Sequence, residues 1–495
     1  MKNIIILFCL IISFLSHAQK RKLPVDTIVI TNHSTVIKGK KLNYQAQTGT
    51  QPVWDDDGNP IASLFYTYYK RTDIKSDSER PLIFSFNGGP GSASVWMHLA
   101  YTGPMILNVD DEGFPVQPYG VKSNPHSILD VADIVFVNPV NTGFSRILDK
   151  DTKKETFFGV NADIAYLAEW INTFIQRVNR WESPKYLIGE SYGTTRVSGL
   201  AAALQGRQWM YINGVILVSP TELGIDSGSG RRAGPLGAAL RLPYFTAAAW
   251  YHNKLPRDLQ RKDLLDVLDE AEDYAINELI AVIAKGGFVN ERERKSAAAT
   301  MARYSGISEE SILSYNLDVP TSFYWKELLR EEGYTVGRLD SRYKGLDKTK
   351  GGVRPDFNSE LTSWLHSFTP AINYYYKNIL KFETDVKYNM FGPVRPWDRT
   401  NNNTGENLRQ AMAQNPYLHT MIQSGYYDGA TKYFDAKYTM WRMDPSGRMK
   451  DRLSFKGYRS GHMMYLRSED LKLSNDDIRS FIIKSTPKKG APAKY

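Results

Sequence analysis

Four short runs of the chain are apolar almost throughout: PLIFSF (81–86), ADIVFVNP (132–139), KYLIGE (185–190) and VILVS (215–219). A strand with one wet face alternates polar and apolar residues, whereas a strand covered on both faces does not need to. Amphipathic stretches lie between the runs, such as NADIAYLAEWINTFIQRVNRW (161–181), with apolar residues at helical spacing. This alternation predicts an α/β fold built on a wound, mostly parallel central sheet flanked by helices.

Residues 42–70 alternate, which predicts antiparallel strands ahead of the parallel ones. Between 223 and 400 the apolar runs stop, and stretches such as DLQRKDLLDVLDEAEDYAINELIAVIAKG and FNSELTSWLHSFTPAINYYYKNILKF read as helices. The strand pattern then returns at LHTMIQSG (418–425) and RLSFKGY (452–458), with helices expected near 430–441 and 470–483. The expected organisation is a core in two parts, 25–222 and 401–484, and a largely helical cap inserted at 223–400. A disordered tail is expected at 485–495. An insertion of this kind lies across the carboxyl ends of the strands, where α/β sheets bind ligands.

The first residues, MKNIIILFCLIISFLSHAQ, have the grammar of a secretory signal over 1–18. Lys2 supplies the charge, Ile4 to Leu15 the apolar run, and Ser16-His17-Ala18 a small-x-small cleavage site. The run is short for a membrane span, and Phe8 before Cys9 argues against lipid attachment. The expectation is a secreted or periplasmic protein of bacterial type, with no membrane anchor once the signal is removed. Cys9 is the one cysteine, so the mature chain has no disulfide and no thiolate metal site. Hydrophobic residues make up 42% of the chain, enough for a core that needs no bridges. The formal net charge of +9 is dispersed, without the stripe of bases and aromatics that would suggest nucleic-acid binding.

Ser191 stands between two glycines in Gly189-Glu190-Ser191-Tyr192-Gly193, after one of the apolar runs and before a helix-like stretch. The pattern fits either a plain tight turn or a nucleophile elbow, which needs this strand-to-helix context. A serine hydroxyl needs a base, and in such folds the chain order is serine, acid, histidine. Of seven histidines beyond the signal, His462 is the one preceded at moderate distance by an acid just past a predicted strand, Asp428. Asp435, Asp444 and Asp451 are alternative acids. An oxyanion hole requires backbone N–H donors. Tyr192, after the serine, offers one; the loop FNGGPGSAS (86–94), with Gly88, Gly89 and Gly91, offers close backbone approach or a simple Gly-Pro turn. That loop lacks the Gly-Lys-Ser/Thr ending of a phosphate loop.

With NGGPGSAS, NPVNTGFS, GESYG, SGYYDGA and GHMMY in this order, the chain resembles the serine carboxypeptidase family of α/β-hydrolases, over roughly residues 40–485. The resemblance implies an α/β-hydrolase fold and a triad of Ser191, Asp428 and His462. It implies an oxyanion hole from the Gly89 and Tyr192 amides, and a substrate-carboxylate site at Asn87, Gly88 and Glu190. Three positions depart from the family pattern: Tyr101 where many relatives carry a second acid paired with the glutamate, Ser85 where they carry Trp, and Asn141 where they carry Gly. A Tyr101–Glu190 hydrogen bond is one substitute for the acid pair.

The expected activity is hydrolysis of C-terminal peptide bonds through an acyl-enzyme on Ser191, on peptides with a free C-terminus, without metal or cofactor. The alternatives are an esterase or acyltransferase on the same machinery, and a non-catalytic envelope binding protein.

Overall fold

The alternating region at 42–70 is the centre of an antiparallel meander, β1 (Thr27–Ile37), β2 (Lys40–Trp54) and β3 (Pro60–Arg71). β1 was not legible in advance. Its half-buried side chains include threonine and histidine rather than an apolar series, and its outer face is exposed. The chain reverses between β1 and β2 through Lys38 and Gly39, both at positive φ (48° and 79°), which matches the twist of a two-residue hairpin.

β3 pairs antiparallel with β5 (Asp133–Val137). From there the sheet is parallel through β4 (Leu82–Phe86), β6 (Lys185–Glu190), β7 (Gly214–Val218), β8 (His419–Gly425) and β9 (Leu453–Tyr458). The order across the sheet is β1-β2-β3-β5-β4-β6-β7-β8-β9, and a two-residue strand at Arg146–Ile147 also pairs with β3. The four apolar runs are β4 to β7, and all four are buried along their whole length. The wound, mostly parallel sheet read from those runs is therefore the observed architecture. The chain steps from β4 outward to β5 and then returns to the other side of β4 to lay down β6. The winding reverses between β4 and β6, and the carboxyl ends of these strands flank the crevice where such sheets take ligands.

Helices cover both faces. α1 (Val95–Ala100) follows β4, α2 (Val160–Val178) precedes β6, and α3 (Tyr192–Arg207) follows it. α2 turns Leu167, Trp170, Ile171, Phe174 and Ile175 onto the sheet, each worth roughly 1.5–3 kcal/mol of burial. It stops at Asn179, which adopts the left-handed conformation (φ 53°) that closes a helix end.

The insertion contributes α4 (Leu242–Tyr251), α5 (Leu264–Tyr274), α6 (Glu291–Ser305) and α7 (Ser359–Tyr374). The first three, with neighbouring short helices, bury a core of their own in which Phe245 stacks on Tyr324 at 4.0 Å. α7 does not join that core. Its Trp364, Phe368 and Ile372, followed by Tyr375 and Tyr376, pack into the main core with Tyr69, Trp96 and Phe136. After the insertion come α8 (Thr404–Gln414), α9 (Tyr433–Met443) and α10 (Ser468–Ser485). The computed structural model describes residues 21–76, 79–149, 151–225, 232–488, 490 and 492–495; residues 1–18, where a signal peptide is expected, lie outside the described residues. No helix among the described residues is long and apolar enough to cross a membrane.

Candidate active site

Ser191 is the single residue between β6 and α3, with φ 57° and ψ −124°. A non-glycine residue there stores backbone strain of roughly 1–3 kcal/mol, which only a tightly packed surround sustains. The flanking glycines supply that packing. A Cβ on Gly189 would stand 2.2 Å from the Gly193 carbonyl oxygen, and one on Gly193 would stand 2.7 Å from that of Phe86. The Ser191 amide donates to Val218 O at 2.9 Å, continuing the ladder to β7.

Asp428 and His462 follow the next two strands, β8 and β9. Asp428 Oδ2 lies 2.6 Å from His462 Nδ1. Its other oxygen accepts from the amides of Ala430 (2.8 Å) and Thr431 (3.1 Å), and the Thr431 hydroxyl donates to Oδ2 at 2.7 Å. A carboxylate with these partners sets Nδ1 as the protonated nitrogen and leaves Nε2 as the basic one. Burial opposes the charged imidazole, but the charge and hydrogen bond of Asp428 outweigh it and hold the His462 pKa above its ordinary value. The histidine backbone is pinned twice: its amide donates to Leu339 O and its carbonyl accepts from Ser219 Oγ, each at 2.7 Å. Ser219 follows Val218, so the end of β7 ties the serine turn to the histidine loop. The Ser191 hydroxyl and the His462 ring are not hydrogen-bonded to each other; in substrate-free sites such contacts often tighten only in the complex.

Two of the alternative acids are engaged elsewhere. Asp435 pairs with Lys432 at 2.9 Å, and Asp444 accepts from Ser446 Oγ and the Met449 amide. Among other histidines, His98 is sealed in the core against Tyr69 OH at 2.6 Å, and burial lowers its pKa to about 3. His252 is bonded to the Ser341 carbonyl.

The loop after β4 lies directly against the serine turn. A Cβ on Gly88 would come within 2.5 Å of both Ser191 Cβ and the Tyr192 nitrogen, while the space where a Gly89 side chain would stand is open. The Tyr192 amide begins α3 and is one of the donors that a helix start leaves without an intrahelical acceptor. Sequence reasoning missed the group that holds this loop in place. Arg196, on the second turn of α3, sends Nη1 to Asn87 O (2.9 Å) and Nη2 to Pro90 O (3.4 Å), and its Nε pairs with Asp163 Oδ2 at 2.7 Å. Both charges are buried. Nothing in the residue pattern marks a buried arginine on a helix, since its partners come from α2 and a distant loop.

Asn87 and Glu190 meet because β4 and β6 pair with Phe86 opposite Gly189. Asn87 Nδ2 donates to Glu190 Oε2, and Asn87 Oδ1 accepts the Met97 amide at 3.0 Å. Burial raises the Glu190 pKa to about 7, against the opposing influence of His462 and of hydrogen bonds from Tyr465 and Asn87. The expected Tyr101–Glu190 bond is not formed. Tyr101 donates to Gln423 Oε1 at 2.6 Å and stacks on Tyr465 at 4.5 Å; Tyr465, three residues after the histidine, donates to Glu190 Oε1 at 2.8 Å. Tyr101 is directed to Gln423 because β8 carries that amide into the same buried layer. The Ser85 hydroxyl is buried without a partner, and Asn141 adopts φ 65°. Among the described residues no group of three or more metal-ligating side chains converges.

Residues 39–217 match the family model described as Serine carboxypeptidase, a stretch that includes Asn87–Gly89 and Glu190–Tyr192 and ends before Asp428. The retinoid-inducible serine carboxypeptidase of Rattus norvegicus is 28% identical over 172 residues, 34% of each chain. Serine carboxypeptidase-like 36 of Arabidopsis thaliana is 27% identical over 175 residues, 33% of each. The matched stretch thus spans about a third of the length of these curated relatives. Among solved structures, the Kex1 prohormone-processing carboxypeptidase from Saccharomyces cerevisiae superposes with a TM-score of 0.55 at 14% identity, covering 89% of this chain and 91% of its own, which speaks for the fold alone. Over residues 39–217 the chain is thus similar to the serine carboxypeptidase family.

Proposed function

We propose that this protein is an exported serine-type carboxypeptidase that removes residues from the free C-terminus of peptides. His462 Nε2 takes the proton of Ser191 as its oxygen attacks the scissile carbonyl. The Gly89 and Tyr192 amides receive the developing oxyanion, and Asp428 stabilises the imidazolium. The leaving amine takes the proton back, and water then releases the acyl group from Ser191. The helices of the insertion cover the cleft and shape the pocket for the side chain before the scissile bond. Secretion or a periplasmic location rests on the signal-like residues 1–18.

One observation carries the choice of carboxypeptidase over general esterase: a buried Asn87–Glu190 pair sits one residue ahead of the strained serine. A glutamate held near neutral pH in its protonated form donates a hydrogen bond to a substrate carboxylate, whereas the ionised form repels it. The expected pH behaviour follows. Glu190 is protonated below its pKa of about 7, so kcat/KM on free-acid peptides falls as pH rises through that value. A neutral ester has no carboxylate to repel and keeps its rate there. Glu190→Gln, which cannot ionise, removes the alkaline fall for free-acid peptides. Mass spectrometry of a peptide mixture after digestion reads the end cleaved. Equal turnover of amidated and free-acid peptides across the pH range contradicts the carboxylate role and leaves an esterase or acyltransferase.

A further inference from the structure

The insertion brings one segment, Arg338 to Arg342, against the two loops that carry Asp428 and His462. Its backbone is bonded to both. The Gly429 amide donates to Arg338 O at 3.0 Å, the His462 amide to Leu339 O at 2.7 Å, and the Ser341 amide to Tyr427 O at 3.0 Å. The Arg338 backbone is therefore bonded to the acid loop, and its neighbour Leu339 to the histidine.

The charges around it are accounted for, and Arg338 is the one left over. Asp340 and Arg342 are buried and neutralise each other, with Nη2 2.6 Å from Oδ2 and Nε 3.0 Å from Oδ1. Glu360 accepts the Leu339 amide at 2.9 Å, and burial raises its pKa to about 7, so much of it is neutral at that pH. His462 is paired with Asp428, and Glu190 with Asn87 and Tyr465. Among the described residues the Arg338 guanidinium donates to no acceptor and faces no carboxylate in an ion pair, and the residue is part-exposed. Its positive charge nonetheless reaches the buried His462 ring and Glu360.

The Asn87–Glu190 pair offers a substrate carboxylate neutral donors and no positive charge. Asn87 Nδ2 donates to Glu190 and its Oδ1 accepts the Met97 amide, so the pair has one further N–H and, when Glu190 is protonated, the carboxyl O–H to offer. Arg338, on the segment bonded to the acid and histidine loops, is a cation with no partner among the described residues. We propose that Arg338 is an anion receptor of the active site that takes a carboxylate of the substrate, through the paired N–H donors of its planar guanidinium. This rests on the hydrolase reading of Ser191. The carboxylate is either the terminal one or an acidic side chain next to the scissile bond.

Two ester substrates test this apart from the peptidase reading: an N-acyl amino acid ester whose alcohol part carries a free carboxylate, and the same compound with that carboxylate methylated. Any serine hydrolase on this triad turns over both. Arg338→Gln should lower kcat/KM on the carboxylate ester about 10- to 100-fold, chiefly through KM, and leave the methylated one unchanged. Arg338→Lys should retain part of the preference. Peptides ending in neutral or acidic residues separate the sources: a loss on every free acid assigns the terminal carboxylate, and a loss confined to Asp- and Glu-containing peptides assigns a side chain. Calorimetric binding of the free-acid and amidated peptides to Ser191→Ala protein, with and without Arg338→Gln, reads the same preference without turnover. The proposal is overturned by an unchanged preference in Arg338→Gln, or by an equal loss on all substrates, which would make the arginine a support for His462 or Glu360. A wild-type protein that cleaves the esters but no peptide ends the carboxypeptidase reading and leaves the Arg338 comparison intact.

Discussion

Ser191→Ala protein should retain its fold and lose kcat by a factor on the order of 10⁶. The size of the loss follows from the role. Without the hydroxyl there is no acyl-enzyme, and the remaining groups can only bind the substrate and polarise its carbonyl for water. A fluorophosphonate probe should label the wild type and fail to label the variant; a labelled variant would place the nucleophile elsewhere. Stability separates the chemistry from the geometry. Alanine inherits the strain at φ 57°, whereas Ser191→Gly adopts that conformation freely. The glycine variant should therefore be the more stable of the two inactive forms, by about 1 kcal/mol, and should melt at the higher temperature. A lower melting temperature for Ser191→Gly than for Ser191→Ala would mean that the turn is not strained.

The order of legibility in this chain has a physical basis. β4 to β7 are buried on both faces, so their side chains had to be apolar, and the runs stood out. β1 lies at the sheet edge with one face exposed, and its residues record no such demand. Around Ser191, Gly88, Gly189 and Gly193 were visible because each is a place where a Cβ would strike backbone within 3 Å. Asp428 and His462 could be matched from chain order and position because each follows a strand predicted in the sequence. Other features were hidden because they depend on which distant residues meet. Tyr465 and Tyr101 are both tyrosines near the site, and only their stacking and the position of Gln423 decide which one reaches Glu190. Arg196 sits in an otherwise unremarkable helix, and its function is set by Asp163 and two carbonyls from elsewhere in the chain. Arg338 lies in the insertion, whose helical pattern gives no sign that one loop of it bonds to the loops that carry Asp428 and His462.

Asp428→Asn carries the second large effect, a loss in kcat on the order of 10⁴. The asparagine has one acceptor oxygen where aspartate has two. Oδ1 of Asp428 receives the amides of Ala430 and Thr431, and these N–H groups require an acceptor. The asparagine oxygen must stay with them, which turns its NH₂ group toward His462 Nδ1. Nδ1 then accepts rather than donates, the ring proton moves to Nε2, and the nitrogen facing Ser191 can no longer take a proton. Removing the negative charge also withdraws what holds the His462 pKa up against burial, so the residual activity should have its acid limb at lower pH than the wild type. Binding should change little, because Asp428 is fully buried behind the histidine. The KM on esters and peptides should stay within a few-fold while kcat falls. If kcat drops less than tenfold, or if the acid limb moves upward, Asp428 does not set the tautomer of His462, and the geometry of the pair must be read as structural support alone.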